Sequence, residues 1–373
     1  MNTLIYDLRY GLRMFVWAVM ACSVLGLVLH AKAQTAEADR PIDAATRQEV
    51  IETTLKLLRE NYIFPDVAQQ IEQAIREQIR KKAYDSISNP ETFAQRLTAE
   101  LQTLSHDKHM SVKYSREALP PPSESKPTVE EREERLSQAR LSNFGFDRVE
   151  RLPGNVGYLN LNIFWWLDVG GGDTAVAAMN FIANTSALII DLRSNRGGDP
   201  AMVVLLASYF FENEPVELTS IFSRASENNN RTWTLPYVPG QRYLGKDVYI
   251  LTSTETFSAG EAFAYDLKNL KRATVFGEST GGGANPRTGY PVKGNHFIVF
   301  VPTGRAVSPI TKTNWEGTGV KPDIEVPADL ALKTAHLAAL KKLRDTNSKV
   351  SAKELKISIE SLEKELDHAS KRN

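Results

Sequence analysis

Ser258 lies in the segment Thr252-Ser253-Thr254-Glu255-Thr256-Phe257-Ser258-Ala259-Gly260-Glu261. The apolar run 248–251 before it reads as a buried strand, and 262–267 after it reads as a helix. Ser258 is therefore expected where a strand hands over to a helix start, with free backbone N–H groups pointing outward beside it. A serine in that place can be a nucleophile whose oxyanion is held by its own helix. It can also be only a cap, because Ser258-x-x-Glu261 has capping-box spacing, and capping boxes are the commoner of the two.

Three further segments supply what a serine nucleophile needs. Ser105-His106-Asp107-Lys108-His109-Met110-Ser111 offers an imidazole that titrates in the useful range. Trp315-Glu316-Gly317-Thr318-Gly319-Val320-Lys321-Pro322-Asp323 offers a carboxylate that can hold an imidazole in one tautomer. Asp191-Leu192-Arg193-Ser194-Asn195-Arg196-Gly197-Gly198 offers a glycine turn whose N–H groups can bind an oxyanion together with that of Ala259. Each has a plain structural reading: a surface or core histidine, a loop glutamate, a tight turn before a helix. The chemical reading needs all of them in one place.

The elements that would bring them together are visible in part. From 44 to about 103 apolar residues recur at helical spacing in three stripes, and Asn89-Pro90-Glu91 marks the start of the third. Residues 116–136 are Pro-rich and then strongly charged, which reads as a linker with a solvated helix, or as a lid. From 144 strands and helices alternate. Strands are expected over 156–164, 187–192, 248–251, 274–276 and 297–301, and helices within 170–184 and over 202–211 and 259–269. That order, βαβαβαββ, indicates an α/β layer with a largely parallel sheet and active residues at the carboxyl ends of its strands. Amphipathic helices follow Pro327, the last charge-rich. The domains expected are 41–115 (helical), 116–142 (linker or lid), 143–335 (α/β core) and 336–373 (helical tail).

Lys+Arg and Asp+Glu are both 45, so no basic excess exists to drive nucleic-acid binding. Arg9 and Arg13 precede an apolar run over 14–29, and Ala31-Lys32-Ala33 follows with Gln34 next. This pattern predicts a signal peptide over 1–33 and export, periplasmic or secreted; the alternative is a membrane anchor over 14–30. Cleavage is favoured because the run is about 16 residues, short of the roughly 20 that span a bilayer. Cys22, the single cysteine, lies inside that segment, so the exported chain would have no thiol. No P-loop, H-E-x-x-H or dinucleotide fingerprint occurs.

Taken together the segments resemble the tail-specific, or C-terminal-processing, serine peptidases, in the branch of the bacterial homologues of interphotoreceptor retinoid-binding protein. The stretch 189–198 is similar to that family's strand and Gly-Gly turn, Phe257-Ser258-Ala259-Gly260-Glu261 to its nucleophile turn, 277–282 to the loop behind it, and 317–323 to its closing motif. Asn61-Tyr62-Ile63-Phe64-Pro65 and Asp107-Lys108-His109 resemble its N-terminal region. The resemblance implies a crotonase-like α/β core with an N-terminal helical domain. It implies a serine peptidase acting on a peptide or protein, with Ser258 as nucleophile, His109 as base, Glu316 orienting it, and Ala259 with Gly197 or Gly198 holding the oxyanion. No metal or organic cofactor is implied. His106 is the alternative base.

Two positions depart from the family. Gly283 stands where the Ser–Lys branch has its lysine base, and Lys108 stands where tricorn-like sites have a serine. The usual PDZ domain has no room, since only about 45 residues separate His109 from the first core strand and such a domain needs about twice that. The competing expectation is a carrier of an apolar ligand or peptide on the same fold, with Phe164, Trp165, Trp166 and the Gly170 loop lining its pocket. A weaker one is esterase or acyl-transfer work by the same residues.

Overall fold

A computed structural model describes residues 41–116, 128–292, 296–346 and 349–371. The segment expected as signal peptide or anchor lies outside the described residues. Among the described residues no helix is long and apolar enough to cross a membrane. Asp43–Asn373 forms one compact unit.

The helical stripes are real helices with legible starts. Helix α1 (Ala44–Asn61) is capped by Asp43, whose carboxylate accepts the Thr46 N–H at 2.7 Å. Helix α2 (Pro65–Arg80) opens on a proline, which loses no bond there. Helix α3 (Pro90–Ser105) opens at the expected signal, with Asn89 accepting from Thr92 N–H at 2.8 Å. Their apolar faces bury Val50, Leu55, Ile71, Ile75, Phe93 and Leu97 against one another and the rest of the unit. Strand β1 (Ser111–Tyr114) follows. The Pro-rich residues 117–127 lie outside the described ones. Helix α4 (Val129–Leu141) carries a capping box from Thr128 and Glu131 and buries only Ala139, as a solvated helix should.

The core is a six-stranded sheet. It contains β2 (Phe146–Leu152), β3 (Val156–Leu161), β4 (Ala187–Asp191), β7 (Asp247–Thr252), β8 (Thr274–Gly277) and β12 (Ile324–Glu325). They lie side by side in that order, all parallel except the antiparallel edge pair β2–β3. Helices α5 (Gly171–Ile182), α6 (Pro200–Ser208) and α7 (Ala259–Asn269) cover one face, against Leu188 and Ile190. Helices α8 (Ala328–Asp345) and α9 (Ala352–Ser370) cover the other, against Ala187 and Ile189. The period-two alternation of β4 thus feeds two separate cores. This is the fold class expected: a mostly parallel sheet with flanking helices, and a helical N-terminal region.

The structure corrects one strand assignment. Residues 297–301 form a strand, β10 (Phe297–Pro302), but it does not join the central sheet. It lies between β1 and β9 (Arg287–Pro291) in a separate antiparallel sheet. The boundary at 336 falls inside α8, whose small residues Ala331, Ala335 and Ala339 pack tightly on the central sheet. Helix α9 is held to α8 by buried Leu355 and Ile359 and by the Lys333–Glu365 and Lys341–Glu363 ion pairs. Seven of the strands had no sequence expectation: β1, β2, β9 and β12, and also β5 (Glu217–Ser223), β6 (Asn228–Trp233) and β11 (Gly304–Val307), which form a third sheet.

Candidate active site

The β1–β10 pairing positions the histidine. Ser111 opposes Phe300 and Tyr114 opposes Phe297, so the turn preceding β1 is carried onto the core. His109 lies in that turn, 6% exposed, and its backbone carbonyl accepts from Arg287 Nη1 at 3.2 Å. Asp107, itself buried, accepts the His109 N–H at 3.0 Å and the Asn285 side-chain amide at 2.9 Å, which fixes the turn from both sides. The His109 ring lies 4.7 Å from that of Phe257, centroid to centroid. Its Nε2 is 3.2 Å from Ser258 Oγ, a hydrogen bond across 149 residues of chain.

Ser258 occupies the strand-to-helix turn expected of it. It sits at the N-cap of α7 with φ 53° and ψ −116°, a conformation that costs a non-glycine residue about 1–3 kcal/mol and persists only where its surroundings hold it. Glu261 does the holding. Its Oε2 accepts the N–H groups of Ser258 and Gly283 at 2.8 and 2.9 Å, and its Oε1 accepts Gly282 N–H at 2.6 Å and the Thr280 hydroxyl at 2.5 Å. The capping-box spacing read in the sequence is thus a real tie, and it locks the loop 280–283 to the serine turn. Burial raises the Glu261 acid against those four bonds.

Neighbouring alcohols are already engaged. Ser253 Oγ donates to the Arg193 carbonyl at 2.6 Å and Thr256 Oγ1 to that of Leu192 at 2.8 Å. The two glycines after β4 approach the serine closely. A Cβ on Gly197 would stand 2.8 Å from the Ser258 Cβ, and one on Gly198 would stand 2.0 Å from the Phe164 carbonyl oxygen, at φ 132°. Gly197 N–H is spent on Asn195 Oδ1 at 2.9 Å. Among the described residues nothing accepts from the N–H of Gly198 or of Ala259.

Glu316 reaches the site from the closing motif. Its Oε2 accepts Ala284 and Asn285 N–H at 2.6 and 2.9 Å. Its Oε1 and the His109 Nδ1 are both buried without a hydrogen-bond partner. Asp107, His109 and Glu316 each offer an atom within 4.8 Å of the others. Burial, with the Asp107 and Glu261 charges nearby, pushes Glu316 up to about 7 against its two N–H bonds. Burial, with the Arg287 charge adding to it, pushes His109 down to about 4, so the ring is neutral at pH 7.

The two departures from the resemblance have physical accounts. Lys108 is exposed and its Nζ donates to the Gly281 carbonyl at 2.6 Å, adding a strut to the loop 280–283. At Gly283 a Cβ would stand 2.2 Å from Phe257 Cζ and 2.7 Å from His109 Cε1. The space a lysine would need is filled by the phenylalanine and the histidine, so the two arrangements exclude each other. Gly283→Ala is expected to push His109 from Ser258. The expected result is a ~10–100-fold lower reactivity of Ser258 toward a fluorophosphonate and a loss of ~1–3 kcal/mol of stability, measured by labelling rate and thermal unfolding. Phe257→Ala in the same chain should return part of both, and unaltered labelling in Gly283→Ala alone would contradict the packing argument.

His106, the alternative base, caps α3 in the left-handed region at φ 56° and is exposed. The aromatics assigned to a carrier pocket lie elsewhere. Phe164 is fully buried in the core, and Trp165 donates to Ser142 Oγ at 2.9 Å. The cavity that does open on Ser258 holds about 100 Å³, less than the roughly 300–1,000 Å³ of drug-sized ligand sites. Sequence reasoning missed the support around the histidine: Asp107, Asn285 and Phe257. Asp107 two residues before His109 was the one local hint, since Asp side chains often bond the N–H two positions on.

The sequence model of peptidase family S41 matches residues 155–326, and that of the N-terminal domain of peptidase S41 in eukaryotic IRBP matches residues 44–143. A candidate peptidase from Parabacteroides merdae has a similar fold, at TM-score 0.54 and 19% identity over 79% of this chain and 96% of that one. A lipoprotein from Streptococcus agalactiae is similar at TM-score 0.50 and 16% identity, over 78% and 95% of the two chains.

Proposed function

The chain belongs to peptidase family S41 and is a serine peptidase, and on that premise we propose that Ser258, His109 and Glu316 carry out the hydrolysis. Ser258 Oγ attacks the scissile carbonyl carbon while His109 Nε2 takes its proton. The carbonyl oxygen, now an anion, is held by the N–H groups of Gly198 and Ala259. His109 then gives the proton to the leaving amine as the C–N bond breaks. A water attacks the resulting ester, His109 takes a proton from it, and the acid product leaves as that proton returns to Ser258. The observation that carries this reading is the 3.2 Å hydrogen bond between His109 Nε2 and Ser258 Oγ.

Gly197 has a different part in this reading from the one expected. Its N–H is occupied, so its contribution is the missing side chain that lets the oxyanion donors stand close to Ser258. Glu316 complements His109. One has a spare acceptor and the other a spare ring nitrogen, both out of water, and a small approach on substrate binding would join them.

The charges give a pH dependence. His109, lowered to about 4, is already the free base through pH 5–9. Glu316, raised to about 7, is protonated below that and cannot then stabilise an imidazolium. The expected kcat/KM therefore climbs as pH rises through about 7, with the slope set by the glutamate. Glu316→Gln should remove this climb and lower the plateau about 10²-fold or more. Rate profiles of both proteins on one peptide from pH 5 to 9 measure it; a climb at the same pH in the variant would assign the ionisation to another group.

A further inference from the structure

The cavity beside Ser258 follows one face of helix α7, where Ala259, Ala262 and Asp266 line it at spacings of three and four. At ~1.5 Å per residue this wall is about 10 Å long. Leu218, Ile221 and Trp315 are among its other walls, and Gly198 borders it too. Asp266 is the one ionisable side chain among the lining residues. It is 5% exposed. Its Oδ1 accepts both donors of Thr219, the N–H at 3.0 Å and the hydroxyl at 2.6 Å. Among the described residues none donates to its Oδ2. A tie to Thr219 explains the first oxygen and leaves the second without a use.

We propose that this cavity receives the side chain on the acyl side of the scissile bond, and that Asp266 at its far end selects a long side chain ending in a cation, lysine or arginine. The proposal rests on the assignment of Ser258 as nucleophile. Both N–H groups assigned to the oxyanion belong to residues bordering the cavity, so the side chain next to that carbonyl enters it. An extended lysine side chain reaches about 6 Å through five bonds of ~1.5 Å, and the Asp266 side chain leans back toward the helix start. Methylenes would lie on the apolar walls, as they do on protein surfaces. The ammonium would meet Oδ2 in a charge-assisted hydrogen bond. An unpaired carboxylate in such a place is costly, and burial accordingly lifts the Asp266 acid to about 7.

The test is a pair of peptides identical except for lysine or norleucine at that position. Norleucine keeps the methylene chain and lacks the charge. The wild-type protein is expected to cut the lysine peptide with kcat/KM at least about tenfold higher. In Asp266→Asn, which keeps an acceptor for Thr219, the lysine-to-norleucine ratio should fall to near one. A purely structural Asp266 would leave that ratio unmoved. Equal cleavage of the two peptides by the wild type, or a preference for norleucine, overturns the assignment whether or not the variant folds. Reaction of Ser258 with a fluorophosphonate is followed in parallel. A labelled Ser258 without lysine preference overturns the pocket alone. No label and no turnover of either peptide overturns the Ser258 reading and the pocket with it.

Discussion

Ser258→Ala is expected to lower kcat for peptide hydrolysis by at least about 10⁴-fold while the protein stays folded. The loss is large because the two buried alcohols of the turn are not free to replace the hydroxyl. Ser253 and Thr256 already donate to carbonyls of the β4 loop, and both are buried. What remains without the serine is the oxyanion site and substrate binding, which in serine peptidases retain only a residual acceleration. The effect on stability should be small. Alanine meets the same strain at φ 53° that serine does, and the hydroxyl's hydrogen bond to His109 is worth about 1 kcal/mol. In a unit of this size that moves the thermal midpoint by about 2–4 °C or less. Peptide hydrolysis and thermal unfolding on the same preparation measure both. Activity within about tenfold of the wild type would remove Ser258 as the nucleophile.

His109→Ala is expected to cost about 10³-fold in kcat/KM. General-base assistance accounts for factors of ~10²–10⁴, and the low basicity that burial imposes on this ring makes its dependence on Glu316 greater. The substitution also leaves a gap against Phe257, with a stability cost of about 1–3 kcal/mol. A second readout separates chemistry from misfolding. Imidazole added to the variant can occupy the gap and should restore part of the rate, with no effect on Ser258→Ala. A variant that hydrolyses peptides at the wild-type rate would show that the proton goes elsewhere, and that the hydrogen bond to Ser258 is structural.

The inner strands of the central sheet, β3, β4, β7 and β8, were legible because they are buried on both faces; the edge strands β2 and β12 are not, and had no signal. Runs such as Ala187-Leu188-Ile189-Ile190 stay apolar throughout, and the turns between them are marked by glycine or serine. Helix α7 was read with its observed bounds, since the serine turn fixed its start. The flanking sheets were harder. Strand β6 is Asn-Asn-Asn-Arg-Thr-Trp, largely exposed, with no alternation to detect. Strands β1 and β10 are separated by about half of the chain, and nothing local says that they pair. That pairing is what sets His109 beside Ser258.

The site was legible as a set of residue types, and its geometry was not. Glu261 announced itself as a cap; its bonds to Gly282, Gly283 and Thr280 depend on a loop that returns from β8. Gly283 looked like a missing base until Phe257 and His109 were seen to fill its place. Gly197 and Gly198 were indistinguishable as donors, and only the Asn195 side chain separates them. Asp266 falls on the same helical face as Ala259 and Ala262, a spacing visible in the sequence, but which surface that face lines depends on β5 and Trp315.

The account turns on one alcohol being made nucleophilic by one ring. The direct measurement is to treat the folded wild-type protein with a fluorophosphonate, digest it, and locate the adduct by mass spectrometry. The adduct is expected on Ser258, and its rate of formation should drop by orders of magnitude in His109→Ala. An adduct on another residue, or one that forms on Ser258 equally fast without His109, would contradict it.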